Sequence, residues 1–130
     1  ELNIINAGVN YGWPVATKGI DYTGARVSPY TDFRGMQAPV WGWTPSIAPA
    51  GMTLYRGELF PQWQGNIFVA ALAAKSVHRL QIENQQVVHD QMLFSELKQR
   101  IRDVRSGPDG ALYLLTDSDK GQLIRVTPAN

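Results

Sequence analysis

From Thr53 to Pro128 the chain repeats one simple unit, a short run rich in β-branched and aromatic residues followed by turn-formers. The first group of runs is TLYRG (53–57), NIFVAAL (66–72), SVHRLQI (76–82) and VVHDQMLF (87–94). The second is IRDVRSG (101–107), ALYLLTD (111–117) and QLIRVTP (122–128). Runs this short and this rich in β-formers read as strands, so an all-β fold of small antiparallel sheets is expected. Pro108, Asp109 and Gly110 supply a tight turn in which φ > 0 falls on Gly110. A four-strand group followed by a three-strand group fits a radial propeller whose last blade takes its outer strand from the other terminus. ELNIIN (1–6) reads as a further strand with no turn before it. The expected architecture is therefore the C-terminal part of one β-propeller domain, about two to three four-stranded antiparallel blades. Residues 1–50 would form a partial blade and a long loop, 51–97 a blade, and 98–130 three strands of the last blade. A self-contained β-sandwich is the competing architecture.

Composition narrows the functional classes. The 130 residues are 44% hydrophobic and 18% charged, enough for one domain with a core. The formal charge is +1, so no broad basic field exists for binding nucleic acid, and any anion site must be local. No apolar run approaches the roughly 18 residues of a membrane span, and no signal segment opens the chain. The absence of cysteine excludes disulfides and thiolate metal sites.

Two stretches stand out from the strand rhythm. The segment from Asn10 to Ala50 is rich in Pro and Gly and holds Trp13, Trp41 and Trp43 without any regular period. It reads as a long ordered excursion, with a surface on which a flat ligand could stack. Trp13 is expected to pack this loop onto its own blade. The second stretch is QRIRDVRSGPDGALYLLTD (99–117). On a regular strand Arg100 and Arg102 share a face opposite Ile101 and Asp103, and two guanidinium groups on one face need an anion between them. The regular-strand reading places no such anion on that face within the segment. A solvated edge paired with Asp103 or Glu96 is the alternative.

The motifs NYGWP (10–14), TPSIAPAGMTLY (44–55), FPQWQGNIFVAAL (60–72) followed by Lys75 and HRL (78–80), then RIRDVRSGPDGALYLLTD (100–117), resemble the soluble aldose sugar dehydrogenases that depend on pyrroloquinoline quinone (PQQ), grouped with the glucose and sorbosone dehydrogenases. The resemblance implies a six-bladed β-propeller with its cofactor in a cleft on the top face. It also implies that Arg100 and Arg102, as an R-x-R pair, and Lys75 bind PQQ, a planar tricarboxylate ortho-quinone. Guanidinium forks suit carboxylate and quinone oxygens, and a lysine is a compact cation for an oxygen that gains charge on reduction. Arg105 has no counterpart in the family pattern.

VWGWTPSIAP (40–49) places Trp41 and Trp43 where relatives cover cofactor and sugar with aromatic rings. Glu1 and Tyr11 fall on positions of a structural calcium site, with Asp21 the next carboxylate, while the calcium on PQQ and the catalytic histidine are expected upstream. His78 and His89 read as packing or surface residues. The implied reaction is oxidation of an aldose at C1 to the lactone, with hydride passing to PQQ and electrons to an external acceptor. This segment alone would be inactive. Its implied partners are the sugar, the acceptor and the remainder of the propeller, in the periplasm or outside the cell. A catalytically inactive propeller that binds carbohydrate or protein is the alternative function.

Overall fold

A computed structural model describes residues 1–129, which divide into two compact units, 1–47 and a second unit beginning at Ala48. Seven strands lie in the second unit: β1 (Pro49–Leu54), β2 (Ile67–Ala71), β3 (Ser76–Glu83), β4 (Gln86–Leu93), β5 (Ile101–Ser106), β6 (Leu112–Thr116) and β7 (Leu123–Val126). They form a four-stranded sheet in the order β1-β2-β3-β4 and a three-stranded sheet in the order β5-β6-β7, all neighbours antiparallel. Two single 3-10 turns, Pro61–Trp63 and Ser95–Leu97, are the only helical segments among the described residues.

The turns explain why each sheet is a meander. Asn84 and Gln85, both at positive φ, close the β3–β4 hairpin at the Glu83–Gln86 pair, the left-handed geometry that matches strand twist. Gly110 has a φ of 79°, as the sequence requires, and its N–H donates to the Gly107 carbonyl in the β5–β6 turn. The first strand sits earlier than its β-formers suggest. It begins at Pro49, a position a strand tolerates for proline, and ends before Tyr55. Tyr55 is fully buried; its hydroxyl donates to the Gly110 carbonyl at 2.6 Å and accepts from the Phe60 N–H at 3.1 Å. That tie holds the Tyr55 side chain on the neighbouring sheet's turn while its backbone stays bonded to the residues before β2, the Tyr55 N–H to the Asn66 carbonyl at 2.9 Å and the Gly65 N–H to the Tyr55 carbonyl at 3.0 Å.

One core serves both sheets. Tyr55, Phe60, Phe68, Val77, Ile101, Val104, Leu112 and Leu114 are buried in it, with Phe60 stacked on Trp63 at 4.2 Å. The leading strands β1 and β5 run side by side. A Cβ on Gly51 would lie 2.8 Å from the Cα of Asp103, so only glycine permits this approach. Further along, the Met52 carbonyl accepts from Arg105 Nη1 at 3.3 Å, and Thr53 Oγ1 accepts from the Ser106 N–H at 3.3 Å. Because Pro49 pairs with Ala71 and Ala71 with Ser76, the β2–β3 turn lies at the same end as the starts of β1 and β5.

Residues 1–47 contain no regular strand, only the isolated bridges Leu2–Trp41, Ala16–Tyr30 and Ile20–Arg26. The expected strand over 1–6 is reduced to Leu2. The Tyr11 hydroxyl accepts from the Asn6 N–H at 2.6 Å and donates to the Ile4 carbonyl at 2.9 Å, so a side chain satisfies backbone groups that a strand partner would otherwise take. Trp13 also departs from expectation. It is 71% exposed, at the tip of a turn closed by the Ala16 N–H on the Gly12 carbonyl, and does not pack its loop down.

Candidate functional site

The two arginines sit at the start of β5, where the ladder is irregular. From Ser106–Leu112 back to Asp103–Leu115 the pairing is continuous, but Ile101 then pairs with Thr116, which leaves Arg102 as an extra residue. This is a β-bulge. In a regular ladder Arg102 would oppose Thr116, and Asp117 would oppose Ile101 on the buried face. The one-residue slip instead sets Asp117 opposite Arg100, where its N–H donates to the Arg100 carbonyl at 2.8 Å.

Asp117 thereby reaches both guanidinium groups. Arg100 Nε donates to Oδ2 at 3.0 Å, and Arg102 donates to Oδ1 from Nη2 at 3.1 Å and from Nε at 3.4 Å. The expectation that the segment lacks an anion on the arginine face is corrected by this contact, and the bulge is the reason. Hydrogen bonds from Arg100 first, then Arg102, hold the Asp117 carboxyl below the usual aspartate range. Two cations share one carboxylate, and both arginine side chains stay about half exposed, at 48% and 51%. Arg100 uses only Nε within the described chain, so its terminal Nη1 and Nη2 donors are unused there.

Lys75 ends the β2–β3 turn with a φ of 49°, a left-handed conformation uncommon outside glycine, and its side chain is exposed. The turn's position at the β1 and β5 starts puts Lys75 and the arginine pair at the same end of the two sheets. Arg105 is different. It pairs with Asp103 at 3.2 Å and reaches the Met52 carbonyl, so its charge is compensated within the sheets. Near the opposite end, Arg56, Glu58 and Asp109 line a cleft of about 960 Å³ that no motif marks.

Trp41 and Trp43 lie in the 1–47 unit, both half-buried, Trp41 bridged to Leu2. Glu1 and Tyr11 line one small cavity together with Asp32. Asp21 takes no part in that cavity; its Oδ1 accepts from the Thr23 N–H at 2.8 Å and the Ala25 N–H at 3.0 Å, fixing a turn. No group of three or more His, Cys, Asp or Glu suited to a metal ion occurs among the described residues. His78 is buried with Nδ1 2.7 Å from Asp90 Oδ1, and His89 is exposed on β4, so one packs and the other lies on the surface. Sequence reasoning missed Asp117. Its only signal is a position just beyond β6, which becomes informative once the bulge is known.

The profile of the glucose / sorbosone dehydrogenase family matches residues 1–125. The chain belongs to that family. As a glucose / sorbosone dehydrogenase family member it is 43% identical to the aldose sugar dehydrogenase YliI of Escherichia coli, over 100% of this chain and 36% of that protein. A crystal structure of a glucose dehydrogenase superposes with a TM-score of 0.91 at 43% identity, covering 98% of this chain and 38% of the other. The soluble aldose sugar dehydrogenase of Escherichia coli in its apo-form gives 0.90 at 43% identity, covering 98% and 37%. The PQQ-bound aldose sugar dehydrogenase of Streptomyces coelicolor shares the fold, with a TM-score of 0.64 at 24% identity, covering 96% and 34%. The chain thus spans a little over a third of the length of the curated aldose sugar dehydrogenase, and its two sheets are blades of the family's propeller.

Proposed function

We propose that this chain is part of a PQQ-dependent quinoprotein that oxidises aldoses at C1 to the lactone and passes electrons to an external acceptor. The observation that carries the reading is the charge arrangement at one end of the sheets: Lys75, Arg100 and Arg102 against the single carboxylate of Asp117. A surplus of fixed cations, with the outer fork of Arg100 unused, fits a planar ligand bearing several carboxylates. The 43% identity to an aldose sugar dehydrogenase supports the substrate class.

When bound, PQQ supplies the hydride-accepting chemistry. Arg100 and Arg102 would hold its carboxylates or quinone oxygen, with Asp117 keeping the two guanidinium planes in place. Lys75 would set a positive charge where negative charge develops, an interaction stronger in the transition state than in the ground state. The part of Trp41 and Trp43 as covering rings rests on the resemblance. So does a calcium ion at Glu1 and Tyr11, which would need main-chain carbonyls because the Tyr11 hydroxyl is already bonded on both sides. No catalytic base is assigned to this chain, and His78 is held within its sheet by Asp90. The base belongs to the remainder of the propeller, and the resemblance favours a periplasmic or secreted location.

The test is spectral. The complete protein, reconstituted with PQQ and calcium, is expected to lose its quinone absorbance when an aldose is added. A protein that binds PQQ yet keeps that absorbance with every aldose tried would point to a binding propeller without catalysis.

A further inference from the structure

The 1–47 unit contains a cleft of about 220 Å³ in which five of the seven lining residues carry a side-chain donor. Lys18 and Arg26 bring two positive charges, and Thr17, Thr31 and Thr44 bring three hydroxyls; no carboxylate lines it. Neither cation forms an ion pair among the described residues, and the Thr31 and Thr44 hydroxyls have no hydrogen-bond partner there. Thr17 Oγ1 accepts from the Gly19 N–H at 3.0 Å, which leaves its own hydrogen free to donate into the cleft. In a chain of net charge +1, two unpaired cations beside one pocket call for an anion.

The walls are fixed before any ligand arrives. The Ile20–Arg26 bridge closes a small hairpin, and the Asp21 N–H donates to the Ala25 carbonyl at 2.9 Å. Asp21 Oδ1 is turned onto Thr23 and Ala25 at the hairpin tip. The Val27 N–H donates to the Gly19 carbonyl at 3.1 Å and the Thr17 N–H to the Tyr30 carbonyl at 2.9 Å, tying both sides of the cleft together. Ser28 Oγ adds a bond to the Val15 carbonyl. A ligand therefore meets a backbone already in place and has only the Lys18, Arg26 and threonine side chains left to order.

We infer that this cleft binds the oxyanion head of a small molecule, a phosphate or a carboxylate, between Lys18 and Arg26 with the threonine hydroxyls completing its shell. A volume of about 220 Å³ lies below the roughly 300 Å³ at which pockets begin to enclose whole drug-sized molecules, so the cleft takes the charged head and leaves the rest of the ligand outside. The site stands independently of the quinone reading, since it shares no residue with Lys75, Arg100 and Arg102 or with Trp41, Trp43, Glu1 and Tyr11.

Titration of the protein with inorganic phosphate, and separately with acetate, followed by amide chemical shifts or calorimetry, tests the assignment. Saturable binding of either ion is expected, and the tighter of the two identifies the head group. Lys18→Met and Arg26→Met should each weaken binding about tenfold or more, the scale of one lost charge-assisted hydrogen bond. Lys120→Met, an exposed cation far along the chain, should leave it unchanged. Thr31→Val keeps every charge and sits on an exposed loop position, so a loss of affinity there separates a built site from general attraction. Binding that never saturates, equal weakening by Lys18→Met and Lys120→Met, or no effect of Thr31→Val beside unchanged Arg26→Met would overturn the inference.

Discussion

Replacing Arg100 or Arg102 by lysine keeps the charge of the cation cluster and removes only the planar fork, which isolates the feature on which the quinone reading depends. The structure ranks the two positions. Arg102 already gives Nη2 and Nε to Asp117, at 3.1 and 3.4 Å, whereas Arg100 gives only Nε, at 3.0 Å, and leaves both terminal nitrogens unused. Either arginine can still grip a ligand carboxylate with its two terminal nitrogens, and Arg100 keeps one more donor free than Arg102. Losing one charge-assisted hydrogen bond costs about 1.5–3 kcal/mol, and half-exposed side chains at 48% and 51% belong at the low end, so Arg100→Lys should weaken PQQ binding roughly tenfold. Arg102→Lys should weaken it less. Arg105→Lys, where the charge already rests on Asp103, is the control and should change little. Lys75→Met should lower turnover at saturating PQQ more than it lowers PQQ affinity, because its charge acts on the transition state. The assay is titration of the apo-protein with PQQ at fixed ionic strength, with turnover measured at saturation. Equal, small losses at Arg100, Arg102 and Arg105 would refute the reasoning and return the arginines to a solvated edge held by Asp117.

Two further outcomes follow from the packing and the charges. Gly51→Ala forces a methyl group to 2.8 Å from the Asp103 Cα; the overpacking costs about 1–3 kcal/mol, and thermal unfolding should show a melting temperature lower by several degrees. An unchanged melting temperature would mean that β1 and β5 are free to spread. The carboxyls of Asp117 and Asp109 are held below the usual range, the latter by hydrogen bonds from Arg125 and then Tyr113. Their stabilisation is thus complete above the unfolded aspartate pKa and is lost as pH falls through the lowered folded value. Denaturant titrations at neutral and strongly acid pH should show a smaller acid loss in Asp109→Asn and Asp117→Asn than in the parent. The effect should be modest because both groups are open to solvent.

The strand rhythm was legible because each short run ends in residues with a strong local preference, and the four-plus-three grouping survives intact in the two sheets. Gly110 was legible for the same local reason, since a tight turn needs a left-handed residue at that point. What could not be read depends on partners distant in sequence. Leu2 pairs but its neighbours do not, because the Tyr11 hydroxyl takes the backbone groups of Ile4 and Asn6. The burial of Tyr55 just past β1 goes with a bond from its hydroxyl to Gly110, 55 residues on. At the site, residue types and R-x-R spacing pointed to an anion, but the identity of its first occupant, Asp117, required the register of the β5–β6 pair.

The bulge at Arg102 also changes what a gain or loss of residues would mean for a protein of this kind. In most hairpins an insertion or deletion is absorbed at the turn, here 107–110, and the flanking strands keep their faces. Between Ile101 and Asp103 a single deletion acts on the site instead: the ladder would become regular with Ile101 still opposite Thr116 and Arg100 still opposite Asp117, but Arg102, the second donor to that carboxylate, would be gone. Lineages could therefore drift freely in the length of the β5–β6 turn while the three residues around the bulge keep their number. Chain length at this point carries as much information as side-chain identity.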